Sequence, residues 1–74
     1  MTTGSFEHTK KQLGQKIKKL REAKGLSQDI LAEKLNLSRT HISYIEIASA
    51  TPSLKVLYDL SQVFGVDIQE LFTP

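Results

Sequence analysis

The chain of 74 residues contains no cysteine and no tryptophan. Without cysteine there is neither a disulfide framework nor a thiolate metal site. Only two histidines are present, and no carboxylate cluster accompanies them at metal-ligand spacing, so no metal and no cofactor are expected. No apolar run approaches the roughly 18 residues of a membrane span. The N-terminal stretch MTTGSFEHTKK lacks the apolar centre of a secretory signal. A soluble, cytoplasmic protein without a membrane partner is the expectation. No segment alternates apolar and polar residues for long, so no strand is expected either. A chain of this length supplies one small domain with one core.

Charge is present but unevenly spread. The net charge is +2. Residues 1–24 hold seven Lys or Arg against two Glu, whereas residues 25–74 hold three cations against six acids. A basic N-terminal segment suits an anionic partner such as nucleic acid, although a solvated lysine-rich helix face would read the same way.

Residues 1–8 read as a flexible tail, and residues 9–74 as the folded domain. From Thr9 the pattern is helical, with Leu13, Ile17 and Leu20 on one face and lysines on the others. Gly25 is placed to end this helix and Ser27 to cap a second. The second helix, around Leu31 and Leu35, stops at Asn36, a residue that tolerates positive φ. Ser38 caps a third, with Ile42 and Ile45 turned inward. Pro52 and Ser53 open a fourth, where Leu54, Leu57, Leu60 and Phe64 recur along one face and Gly65 closes. The stretch VDIQELF reads as a fifth helix, with Asp67 and Glu70 forming a capping box. The fold class expected is all-α, with five short helices.

The decisive stretch is LSRTHISYIE, Leu37 to Glu46. The turn between Leu35 and Ser38 is so short that the second and third helices must cross steeply. Ala32 is small enough for the crossing, and Asn36 suits the corner. Arg39, Thr40, Ser43 and Tyr44 then face outward, with His41 to one side. Arg can bond guanine with two donors, Thr can bond a base or touch a thymine methyl, and Tyr can reach phosphate or base, so the helix suits a DNA major groove. The same residues could be read as a serine–histidine–acid site. That chemistry needs an oxyanion hole and a buried third member, and the chain has no glycine-rich elbow to build one. No catalytic residue is expected.

The segments IKKLREAKGLSQDILAEKLNLSRTHISYIE and TPSLKVLYDLSQVFGVDIQELF resemble the helix-turn-helix family of phage repressors and Cro proteins, the XRE type. The resemblance runs from Leu13 to Phe72, about four-fifths of the chain. It implies a lambda-repressor-like DNA-binding domain with the helix-turn-helix in helices two and three. It implies base contacts from Arg39 and Thr40, with Ser43 and Tyr44 along the same face, and a phosphate contact from Gln28. Ser27 and His41 are further phosphate candidates, as are Lys10 and Lys11 near the start of the first helix. Arg21 and Glu46 match a buried salt bridge between the first and third helices. Within the family the stretch LSRTHISYIE most resembles the small controller proteins of restriction–modification systems.

The sequence departs from the family after Glu46. A glycine and basic residues are usual there, and IASATP stands instead, leaving Ser49, Thr51 and backbone N–H groups as phosphate donors. Asn36 replaces a usual glycine and Ser61 a usual alanine.

One reading helix spans few base pairs, so a palindromic operator bound by a homodimer is expected. Val63, Val66, Ile68, Leu71 and Phe72 are the candidate dimer face. Asp29 and Glu33, outward on the second helix, are candidate contacts to RNA polymerase. The reading is a transcriptional regulator of double-stranded DNA, of phage-repressor or restriction–modification-controller type. The alternative is a protein-binding module, such as the antitoxin of a toxin–antitoxin pair.

Overall fold

Four serines set the starts of four helices. In a computed structural model that describes residues 5–74, the hydroxyls of Ser5, Ser27, Ser38 and Ser53 accept from the N–H groups of His8, Ile30, His41 and Val56 at 3.0, 3.1, 3.0 and 3.2 Å. Each bond satisfies one of the donors that a helix start leaves without a partner. The helices are α1 (Phe6–Ala23), α2 (Gln28–Leu35), α3 (Arg39–Glu46) and α4 (Leu54–Phe64). Among the described residues there is no strand.

The tail expected over residues 1–8 is helical from Phe6, because Ser5 caps there and Glu7 lies in the first turn, where the helix dipole favours a carboxylate. Residues 1–4 of that tail lie outside the described residues. The fifth helix is instead a 3-10 helix, Ile68–Phe72, so among the described residues there are four α-helices and one short 3-10 helix. A segment this short is readily wound as a 3-10 turn, with the Glu70 N–H donating to the Asp67 carbonyl at 2.9 Å, and the expected capping box is absent. Asp67 makes no side-chain cap bond, and the Glu70 carboxylate lies 3.5 Å from the Lys16 ammonium instead. Glu70 thereby ties the C-terminus to α1.

Leu13 and Ile17 of α1, Leu31 and Ala32 of α2, Ile42 and Ile45 of α3, and Leu57, Leu60 and Phe64 of α4 form one buried cluster, closed from below by Leu71. Burying a Leu or Ile side chain stabilises by roughly 1.5–3 kcal/mol, so this cluster is the main source of cohesion. Leu54, expected inward, is 74% exposed. It is the first residue of α4, before the helix has reached the core.

The corners follow from backbone chemistry. Asn36 takes the left-handed conformation, φ 57°, between α2 and α3. Ala48 takes it as well, φ 64°, just past α3, where Ser49 N–H donates to the Tyr44 carbonyl at 2.7 Å. That is the position at which a helix end favours glycine. Gly14, in the middle of α1, lies against the backbone of α3. A Cβ built on it would stand 2.6 Å from both the Ile45 and Glu46 carbonyl oxygens.

Candidate nucleic-acid interface

The outward face of α3 is built from both ends. At its start Ser38 fixes the first turn. At its end Glu46 is buried and fully engaged. The Arg21 guanidinium donates to it through Nε at 2.6 Å and Nη2 at 3.1 Å, and the Gln28 amide donates to Oε1 at 3.0 Å. Arg21 Nη1 donates to the Leu26 carbonyl at 2.8 Å. One carboxylate thus ties α1, the start of α2 and the end of α3 into one frame. The hydrogen bond to Glu46 holds the Arg21 pKa above its ordinary value, against the opposing effect of burial. Among the described residues no buried side-chain polar atom lacks a partner.

With α3 held this way, Arg39, Thr40 and Tyr44 are exposed, while His41 and Ser43 are half-buried. Arg39 Nε lies 3.9 Å from the Asp29 carboxylate on α2. The hydroxyl of Ser38 and the carboxylate of Glu46, two members of the hydrolase alternative, are occupied by structural bonds.

The phosphate candidates are scattered more widely. Ser27 is exposed, with its hydroxyl used as the α2 cap. Gln28 is half-buried, and its amide is committed to Glu46 through one N–H, a bond between residues 18 positions apart that no local pattern announces. Ser49 and Thr51 are exposed in the loop between α3 and α4. The Lys10 ammonium is drawn to Glu7 at 3.6 Å and lies 5.3 Å from the centre of the Phe6 ring. Lys11 is exposed, and with Glu7, His8, Ile47 and Ala48 it lines one hollow between the start of α1 and the end of α3. Lys11 and the left-handed turn at Ala48 are therefore neighbours, which the distance between them in sequence conceals.

The dimer candidates divide. Val63, Val66 and Ile68 are half-buried against the core, and Phe72 is 44% exposed. Leu71 is fully buried, so it closes this chain's own core and has no surface to offer a partner. Other large apolar side chains are more exposed. Ile47 stands at the end of α3, and Leu54 and Tyr58 lie one turn apart on α4. Among the described residues no helix is long and apolar enough to cross a membrane.

The fold and sequence match known proteins. An uncharacterized HTH-type transcriptional regulator of Methanocaldococcus jannaschii is 40% identical over 57 residues, covering 77% of this chain and 86% of that protein. The restriction-modification controller protein C.AhdI from Aeromonas hydrophila superposes with a TM-score of 0.79 at 34% identity, covering 84% of this chain and 94% of that one. The master regulator for biofilm formation SinR, solved in complex with DNA, superposes with a TM-score of 0.76 at 35% identity, covering 82% of this chain and 98% of that one. The family model described as helix-turn-helix, HTH_3, matches residues 17–71, from the buried centre of α1 to Leu71. The chain belongs to this helix-turn-helix family, of the XRE type.

Proposed function

We propose that the protein is a sequence-specific transcriptional regulator that binds double-stranded DNA with α3 in the major groove. The observation that carries this reading is the exposed set Arg39, Thr40 and Tyr44 on a helix fixed at one end by Ser38 and at the other by the Arg21–Glu46–Gln28 frame. Base readout needs donors held in place, since a side chain on a loose helix loses the geometry that separates one base pair from another. In this reading Arg39 bonds guanine, Thr40 and Ser43 contact adjacent bases, and Tyr44 reaches base or backbone. Gln28, braced by Glu46, turns its second N–H to a phosphate, and Ser27, His41, Ser49 and Thr51 line the backbone on either side. Lys11, beside the Ala48 turn, supplies the cation that the loop after α3 lacks. The likeness to SinR, solved in complex with DNA, supports DNA as the partner.

A palindromic operator with half-sites about 34–36 Å apart would be read by a homodimer. Phe72 and the exposed edges of Val63, Val66 and Ile68 form its contact. The likeness to C.AhdI supports a controller of the restriction–modification kind. Such a regulator acts in the cytoplasm and needs neither cofactor nor catalytic residue. If it activates transcription, Glu33, exposed on α2, is the better candidate for RNA polymerase, because Asp29 is drawn to Arg39.

The exposed Ile47, Leu54 and Tyr58 favour a second reading, a module that binds a protein partner as an antitoxin does. Salt separates the two. Binding through six to ten phosphates weakens by about 10³- to 10⁵-fold between roughly 50 and 200 mM salt. Binding through apolar contacts changes little. A flat salt response, with no retention of duplex DNA at low salt, would overturn the regulator reading.

A further inference from the structure

Arg39 sits at the first position of α3, where two fates compete. Its guanidinium can read guanine in the groove, or fall onto a phosphate, which carries no sequence information. The Asp29 carboxylate, at the second position of α2, lies 3.9 Å from Arg39 Nε. Among the described residues it is the one anion within ion-pair distance of Arg39. Both side chains are well exposed, 66% and 76%. At 3.9 Å the contact is an electrostatic attraction and not a hydrogen bond. It is therefore weak and reversible, as exposed pairs are.

We propose that Asp29 is a positioning residue for Arg39: it holds the Nε edge of the guanidinium toward α2 and leaves the two Nη groups to meet guanine O6 and N7 end-on. This rests on the reading of α3 as the base-reading helix and names the residue that sets its selectivity. The direction of the effect follows from charge. A carboxylate beside the guanidinium repels phosphate, so it lowers affinity for DNA of any sequence. It also withholds the Arg from the backbone, so it raises the ratio of right to wrong base at the position that Arg39 reads. Asp29 favours the start of α2 through the helix dipole as well, but that role affects stability and does not change a base ratio.

The test uses the duplex that the purified wild-type protein selects from a random library, with each base pair of a half-site replaced in turn. Relative affinities are measured for wild type, Asp29→Asn, Arg39→Ala and Glu33→Gln. A bidentate Arg contact discriminates its guanine by roughly 5- to 150-fold. Arg39→Ala identifies that base pair by losing the preference there. Asp29→Asn should lose about threefold or more of the same preference, at that base pair alone, while binding all duplexes somewhat more tightly. Glu33→Gln, an exposed acid one turn further along α2, should strengthen binding without changing any ratio. An unchanged preference in Asp29→Asn, with Arg39→Ala still losing it, overturns the positioning role and leaves the base-reading helix standing. If Arg39→Ala loses no preference at any base pair, or wild type selects no duplex, base reading by α3 falls and the role of Asp29 falls with it.

Discussion

Gly14 of α1 lies against the Glu46 carbonyl at the end of α3, so close that an added Cβ would stand 2.6 Å from the oxygen. The neighbour is backbone, held by the helix and by the anchored Glu46 side chain, and it cannot turn aside. Alanine at a helix interior ordinarily gains about 1 kcal/mol over glycine. Here the contact reverses the sign. Gly14→Ala should lower stability by about 1–3 kcal/mol, as overpacked interiors do, in urea denaturation. A variant as stable as wild type, or more stable, would show that α1 and α3 are not packed at this distance.

The frame around Glu46 makes a second prediction. Arg21→Met leaves a buried carboxylate whose main partner is gone, which should cost about 3–5 kcal/mol. Adding Glu46→Leu removes the stranded charge and should recover part of that loss, since Gln28 is only half-buried and can turn to water. Urea midpoints for the single and double variants check this. Independent, additive losses would mean that the pair is not coupled.

Ala48 carries a local cost that glycine would relieve. An L-residue in the left-handed region costs roughly 1–2 kcal/mol, of which about 0.4–1 kcal/mol is returned when glycine loosens the unfolded chain. Ala48→Gly should therefore stabilise by about 0.5 kcal/mol, seen as a higher denaturation midpoint. A drop in the midpoint would argue against positive φ at this turn.

Much of the fold can be read in the sequence because its signals are local. Ser27, Ser38 and Ser53 stand where their helices begin, and Asn36 takes the positive φ that the corner demands. What could not be read depends on contacts distant in sequence. Gly14 looks like a weak point in a helix until α3 packs on it. Gln28 looks like a free polar side chain until Glu46 accepts from it. Leu71 and Leu54 follow similar apolar patterns, yet one closes the core and the other faces water. Periodicity assigns a helix a face; it does not say where along the helix the core begins. The Asp67–Glu70 pattern fits a capping box, but the segment winds as a 3-10 helix and Glu70 turns to Lys16 instead.

Lys11 tests the electrostatic part of the functional reading. Lys11→Ala should weaken binding to every duplex by a similar factor and reduce the slope of log affinity against log salt by about 1. Fluorescence anisotropy over a salt series measures both. A loss confined to particular sequences would contradict a phosphate role, and no loss at all would remove Lys11 from the interface.

Base reading by α3 is tested by selection from a random duplex library with purified wild type beside Arg39→Ala. A palindromic motif is expected, with half-sites about one helical turn apart and one base position that loses its preference in Arg39→Ala. Enrichment of no motif by the wild type would contradict base reading by α3, and would turn attention to a protein partner for the exposed side chains of Ile47, Leu54 and Tyr58.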